Sequence, residues 1–113
     1  SAADLAKLAH AAIHVPLFPA YVATRQRGAK LRGGETEQRN IVWRNTNRLL
    51  PIEGYRGIKT GTTSAAGACL VSYGTREGEA LIVVILGSSN SDARYIDSRN
   101  LYRWAWNQRN GRR

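Results

Sequence analysis

Three strand-like segments follow one another in the second half of the chain, at residues 56–60, 68–74 and 80–86. The connections between them are short, which favours antiparallel pairing, since parallel strands need a long crossover. Every residue of 80–86 is apolar, and this predicts a central strand that is buried on both faces. The sequence therefore predicts a three-stranded antiparallel meander.

Two helices are predicted to flank this meander. Ser1 and Asp4 form a capping-box-like pair, and apolar residues then repeat at helical spacing until Pro16 ends the element. Ser91 or Asp92 is expected to cap a last helix that runs to about Gln108. The apolar side of that helix is predicted to include Ala93, Ile96, Leu101, Trp104 and Ala105.

The region between the first helix and the meander has a weaker pattern. Residues 21–24 are predicted as a short strand, and 25–37, which are polar and contain Gly28 and the pair Gly33-Gly34, as a loop or hairpin turn. Residues 40–44 are predicted as a strand, followed by a turn-rich connection. The whole order is helix, irregular hairpin, meander and helix, which predicts an α+β fold with helices packed on an antiparallel sheet.

Length and charge limit the classes of function. The 113 residues suit one small domain, and the net charge of +9 implies an anionic partner or environment. The charges are spread along the chain, except for Arg109, Arg112 and Arg113 at the tail. No zinc-finger, RNA-binding or helix-turn-helix pattern is present. A basic nucleic-acid-binding domain is therefore a weak alternative, and no nucleic-acid partner is expected.

Two histidines have the spacing of a metal pair on a helix, His10 and His14 at i and i+4. No glutamate follows His10, and no third ligand is evident in the sequence. We expect solvent-exposed or core-edge histidines and no metal site.

The end of the first meander strand carries a compact group of chemistry-bearing residues, Lys59, Thr60 and Gly61, with Thr62 behind them. The lysine supplies positive charge, the threonine hydroxyl supplies a hydrogen bond, and the glycine lets a ligand approach the backbone. This arrangement indicates an anion-binding site at a strand end.

Four segments, in this order and spacing, resemble the D-alanyl-D-alanine carboxypeptidases, the low-molecular-mass penicillin-binding proteins. They are residues 43–50, 57–63, 66–71 and 83–87. Residues 1–6 also look like the family's helix that follows its Ser-x-Asn motif. The resemblance implies that residues 1–108 are the C-terminal part of a β-lactamase/transpeptidase-like catalytic domain and that 109–113 are a basic tail.

The sequence departs from the family in two motifs. No serine has a lysine three residues later, so the Ser-x-x-Lys nucleophile motif is absent from this chain. Residues 88–90 and 98–100 match Ser-x-Asn as letters only, because neither has the family's place in the order. We expect the nucleophile to lie in a part of the parent protein upstream of this chain, and the isolated chain to be inactive.

The resemblance assigns roles to five residues. It implies that Lys59 and Thr60 hold the substrate's terminal carboxylate, with Lys59 also tuning nearby proton transfers. Gly61 would leave room for the acyl-D-Ala backbone, and the N–H of Thr62 would be one of two oxyanion-hole donors. Arg94 would bind the carboxylate and converge on the same spot as Lys59 and Thr60. The structural alternatives are an edge-strand lysine, a strand-forming threonine and an exposed helix arginine.

The implied activity is that of a serine-type D-Ala-D-Ala carboxypeptidase. The parent would trim peptidoglycan stem peptides through an acyl-enzyme, bind β-lactams, need no metal or organic cofactor, and work at the cell envelope, in the periplasm or elsewhere outside the cytoplasm. The alternatives are a serine β-lactamase, against which residues 43–50 argue, and a non-catalytic binding module derived from this fold. We also expect the sheet to expose apolar surface and an unpaired strand edge, and the chain to form a possible homo-oligomer.

Overall fold

The computed structural model of the chain describes residues 1–33 and 37–111. Its elements in chain order are α1 (Ala2–Ala12), α2 (Phe18–Val22), β1 (Gln26–Gly33), β2 (Glu37–Arg44), β3 (Tyr55–Thr63), β4 (Gly67–Arg76), β5 (Glu79–Ser88) and α3 (Ser91–Asn110). The predicted α+β class and the three meander strands are confirmed, each strand being longer than predicted.

The meander forms an antiparallel sheet with the strand order β3-β4-β5. Thr60 on β3 lies opposite Leu70 on β4, and Leu70 lies opposite Ile85 on β5. Within the described part of the chain β4 is therefore the central strand, and the prediction of a central position for β5 is wrong. The apolar character of β5 has another cause: α3 packs on the side of Val83 and Ile85, and α1 lies beside Ile82.

Helix α3 crosses the sheet on an unexpected face. Its buried residues recur every fourth position and are Arg94, Ser98, Tyr102 and Trp106. The predicted apolar side is wrong, since Ile96, Leu101 and Trp104 are 59%, 42% and 62% exposed. The ring of Tyr102 needs the space over Gly74, where an added Cβ would lie 2.9 Å from it, so a polar-edged aromatic face packs better here than the aliphatic one.

The ends of α3 also differ slightly from the prediction. Asn90 is the N-cap, and its side chain accepts a hydrogen bond from the amide of Ala93 at 2.8 Å, in place of Ser91 or Asp92. The helix continues past Gln108 to Asn110. Arg109, predicted to begin the tail, is in the helix and donates to Glu79 at 3.4 Å. Arg112 and Arg113 lie outside the described residues.

The first helix is confirmed, and the segment after it is corrected. Ser1 caps α1 by accepting from the amide of Asp4 at 3.2 Å. The strand predicted at 21–24 is wrong, because these residues overlap the end of α2 and the turn that follows it. Pro19 stands in the first turn of α2, where a missing N–H costs nothing. A segment this short has little intrinsic preference for strand over helix, and Pro19 in the first turn favours the helix.

The predicted hairpin is present, and its first strand occupies much of the stretch 25–37 that was predicted as a loop or hairpin turn. β1 and β2 pair in antiparallel register as a separate two-stranded sheet, with Gly28 opposite Val42. The predicted strand at 40–44 is confirmed as part of β2. The glycines and polar residues of β1 do not predict a strand, and pairing with β2 stabilises this one. Gly34 of the predicted turn lies outside the described residues. Among the helices that the structure describes, none is both long and apolar enough to cross a bilayer.

The core lies between α3 and the sheet and is built around Tyr102. This residue is 1% exposed, and its hydroxyl donates to Ser72 at 2.9 Å. Its ring packs edge-on against Tyr55 and stacks on Trp106, with centroid distances of 5.2 and 5.0 Å. Burial raises the pKa of Tyr102 above its ordinary value, so the hydroxyl stays a neutral donor.

We predict that Tyr102→Phe lowers the free energy of unfolding by about 1–3 kcal/mol, because it leaves the buried Ser72 hydroxyl without its donor. Urea denaturation of the chain measures this. Tyr21→Phe is the matched control, since Tyr21 is 61% exposed and its loss should change stability by less than about 0.5 kcal/mol. Equal stability of the two variants would contradict the assigned core.

Candidate active site

The four consecutive residues Lys59 to Thr62 lie on an edge strand. β3 pairs with β4 on one side, and no strand of the described residues pairs with its other side. Thr60 is 9% exposed, whereas Lys59, Gly61 and Thr62 are exposed. The site is therefore an accessible strand edge with one buried hydroxyl-bearing residue in it.

The ammonium group of Lys59 lies beside the next residue along the strand. Neighbouring side chains of a strand point to opposite faces, which separates Lys59 from Thr60 in a regular strand. Here the long lysine stem curls back and Nζ donates to the carbonyl oxygen of Thr60. The positive charge thus remains at the strand edge, close to Thr60.

The side-chain position of Gly61 faces open space. A Cβ added to this residue would meet no heavy atom within 4 Å, and its φ is not in the left-handed region. The chain's own packing and backbone conformation therefore do not require a glycine here. What the glycine provides is clearance on the exposed side of β3, where an extended ligand can approach the backbone.

Arg94 reaches the same strand from α3. It is 5% exposed, and its guanidinium donates to the carbonyl oxygens of Gly61 at 3.4 Å and Cys69 at 3.1 Å and to the hydroxyl of Thr62. Thr62 and Thr60 share a strand face by alternation. Arg94 therefore lies next to the predicted site, with its charge held by contacts inside the protein.

A residue that the sequence reasoning did not single out completes this cluster. The hydroxyl oxygens of Thr46 and Thr60 are 2.5 Å apart. The carbonyl oxygen of Thr46 accepts a hydrogen bond from the hydroxyl of Tyr95 at 3.0 Å. The available signal was the position of Thr46 inside the segment 43–50, but nothing in a sequence pattern places that segment beside β3.

The other candidate residues lie away from the strand edge. His14 Nδ1 is 2.7 Å from the carbonyl oxygen of His10, and no group of three or more metal-ligating side chains occurs in the described residues. Ser88 donates to Asp97 at 2.8 Å, and Asn90 caps α3. Ser98 is fully buried within α3. Ser88 and Asn90 of the first Ser-x-Asn match thus make structural hydrogen bonds, and Ser98 of the second match is enclosed in the protein.

Comparison with known proteins identifies the family. The sequence model of the D-alanyl-D-alanine carboxypeptidase family matches residues 1–90, which is most of the chain. This chain belongs to the D-alanyl-D-alanine carboxypeptidase family. The resemblance seen in the sequence is thereby confirmed.

The chain matches part of the length of two curated relatives. It is 33% identical over 104 residues to a D-alanyl-D-alanine carboxypeptidase of Streptomyces sp. strain K15, covering 90% of this chain and 36% of that protein. It is also 33% identical over 106 residues to DacD of Escherichia coli strain K12, covering 92% of this chain and 25% of that protein. The chain spans about a third of the first relative and a quarter of the second.

Solved structures share the fold. The DD-transpeptidase of Streptomyces K15 superposes with a TM-score of 0.85 at 33% identity, covering 91% of this chain and 40% of that one. The D-alanyl-D-alanine carboxypeptidase DacD of Francisella tularensis gives a TM-score of 0.58 at 41% identity, covering 64% of this chain and 18% of that one. The elements described above are therefore those of the DD-transpeptidase fold.

We predict that Arg94→Ala lowers the free energy of unfolding by about 2–3 kcal/mol, because part-buried carbonyl oxygens on β3 and β4 lose their charged donor. Arg94→Lys should lose an intermediate amount, since one ammonium group cannot span all three acceptors. The exposed Arg99 on the same helix is the control, and Arg99→Ala should change stability by less than about 0.5 kcal/mol. Urea denaturation that ranks Arg94→Ala with this control would contradict the bridging contact.

Proposed function

We propose that this chain is the C-terminal part, residues 1–108, of the catalytic domain of a serine-type D-Ala-D-Ala carboxypeptidase. It supplies the strand edge that binds substrate, while the nucleophile lies in a part of the domain outside this sequence. The family match supports the enzyme class. The absence of Ser-x-x-Lys from the sequence and the partial coverage of the relatives support the division of the site.

The observation that carries this proposal is the edge of β3 that has no strand partner among the described residues, with Gly61 near the end of the strand. An extended peptide can add to an unpaired strand edge through main-chain hydrogen bonds. A stem peptide that lies along β3 would pass over the open space at Gly61. Its C-terminal carboxylate would then face Lys59 and Thr60.

The carboxylate is recognised by charge and by one hydroxyl. Lys59 supplies an exposed ammonium group beside Thr60, and Thr60 donates its hydroxyl proton to a carboxylate oxygen. Arg94 adds a second positive charge behind Thr62, within the same cluster. A substrate with a free C-terminal D-alanine is thereby favoured over one whose carboxylate is blocked.

Cleavage proceeds through an acyl-enzyme on the serine that the rest of the domain provides. The serine oxygen attacks the carbonyl carbon of the penultimate D-alanine, the terminal D-alanine leaves, and water releases the acyl group. The N–H of Thr62 donates to the developing oxyanion together with the serine's own N–H. Lys59 tunes the proton transfers beside it. These steps use protein groups and water alone.

The proposed substrate sets the place of action. The parent protein acts on peptidoglycan stem peptides at the cell envelope, outside the cytoplasmic membrane, and β-lactams occupy the same site. Two alternative functions remain for a chain with this motif. The family match over residues 1–90 argues against a serine β-lactamase, and a non-catalytic binding module is distinguished by the experiment below.

The test is covalent labelling with a fluorescent penicillin. We expect the parent protein, which includes the nucleophile, to be labelled, and this chain alone to show no adduct by mass spectrometry, because no serine here is paired with a lysine. A covalent adduct on the isolated chain would contradict the division of the site. An unlabelled parent would favour the binding module.

A variant at Gly61 separates its role in binding from its role in folding. Gly61→Ala should leave the stability of the chain unchanged or raise it by up to about 1 kcal/mol, because the Cβ meets open space. In the parent protein it should slow labelling at least about tenfold by obstructing the ligand backbone. Gly28→Ala is the matched control, since its Cβ also meets open space on another strand. Equal labelling of the two variants would exclude substrate contact at Gly61.

We also propose that the chain by itself associates with a second copy. The outer edge of β5 has no strand partner in the described part of the chain, and Leu8 and Trp104 are 65% and 62% exposed. Pairing of two β5 edges would satisfy the unpaired backbone groups of that edge, and exposed apolar side chains favour such association. Light scattering should show dimers or larger species, and a strict monomer at high concentration would contradict this.

A further inference from the structure

We infer that Thr46 is a positioning residue that fixes the Thr60 hydroxyl as a hydrogen-bond donor toward the substrate carboxylate. This inference rests on the proposed function, and it assigns a role to the segment 43–50 that the proposed mechanism leaves unused. The two hydroxyl oxygens lie 2.5 Å apart, and either is able to donate. Which of them donates decides whether Thr60 has a proton left for a ligand.

The proton count determines the direction when a carboxylate is bound. Each threonine hydroxyl has one proton and two acceptor lone pairs. A carboxylate accepts only, so Thr60 must give its single proton to the ligand. Thr46 must then donate to the oxygen of Thr60, which makes a chain from Thr46 to Thr60 to the carboxylate. Hydrogen bonds in such a chain strengthen one another by polarisation.

Thr46 is held firmly enough to fix the direction of this chain. Its carbonyl oxygen accepts from Tyr95 at 3.0 Å. Before it, the side chain of Asn45 donates to the carbonyl oxygens of Val22 and Thr24 at 3.2 and 3.1 Å. The Oδ1 atom of Asn45 also accepts from the amide of Asn47 at 3.0 Å. The backbone on both sides of Thr46 is therefore anchored independently of Thr60.

Helix α3 extends this support. Tyr95, which holds Thr46, directly follows Arg94, which contacts Thr62. The guanidinium of Arg48 lies 4.7 Å from the centroid of the Tyr95 ring, and it forms an ion pair with Asp92 at 2.5 Å. One helical turn of α3 thus fixes two residues around the strand edge, Thr62 directly and Thr60 through Thr46.

The first test compares a matched pair of ligands on the parent protein, acetyl-D-alanyl-D-alanine and the same peptide with its C-terminus amidated. The preference for the free carboxylate is measured as the ratio of the two kcat/KM values. Thr46→Val should reduce this ratio by about five- to tenfold, which corresponds to the net contribution of one hydrogen bond. Thr46→Ser keeps the hydroxyl and should retain the ratio. Tyr95→Phe should reduce it by a smaller factor.

General structural damage would lower both kcat/KM values together, so the ratio isolates the contact with the carboxylate. An unchanged ratio in Thr46→Val, or the same loss in Thr46→Ser, would overturn the inference. A wild-type parent that processes neither peptide would overturn the proposed function instead.

The second test needs no activity and uses this chain. Three-bond NMR couplings to the Thr60 methyl carbon report its χ1 rotamer, which we expect to be single in the wild type and in Thr46→Ser and averaged in Thr46→Val. A single, unchanged rotamer in Thr46→Val would show that Thr46 does not position Thr60, whatever the parent protein catalyses.

Discussion

Arg94 donates to carbonyl oxygens on two strands at once, Gly61 on β3 and Cys69 on β4. This charged bridge fixes the first turn of α3 over the end of β3 that carries the candidate site. Ser98, Tyr102 and Trp106 continue the same helical face across the sheet. The placement of the site therefore depends on a buried guanidinium more than on the aliphatic packing of the helix.

The parts of the fold that the sequence predicts are those in which one local signal is strong. The meander is predicted because apolar runs alternate with short turns, and α1 because Ser1 and Asp4 mark its start. The hairpin is predicted, but the strand state of β1 is not, because it depends on pairing with β2, which local composition does not encode. The buried face of α3 is not predicted, because a hydrophobic pattern does not indicate that Arg94 is buried or that Tyr102 packs over Gly74.

The candidate site likewise contains residues that a local motif predicts and residues that only the tertiary structure brings together. Lys59, Thr60 and Gly61 stand together in the chain, so a motif reveals them and the structure adds only their surroundings. Thr46 comes from a distant segment, and its contact with Thr60 follows from the path of the turn-rich connection between β2 and β3. The sequence resemblance predicts that Arg94 binds the substrate carboxylate, and in the structure its guanidinium donates to Thr62 and to the carbonyl oxygens of Gly61 and Cys69.

The most direct measurement is a crystal structure of the parent protein acylated by benzylpenicillin. The account predicts that the ligand lies along the open edge of β3 and passes over Gly61. One carboxylate oxygen should accept from Thr60 Oγ1 at about 2.5–3.0 Å, with Thr46 still bonded to the same hydroxyl. A ligand carboxylate bound away from β3, with the hydroxyls of Thr46 and Thr60 bonded only to each other, would contradict the account.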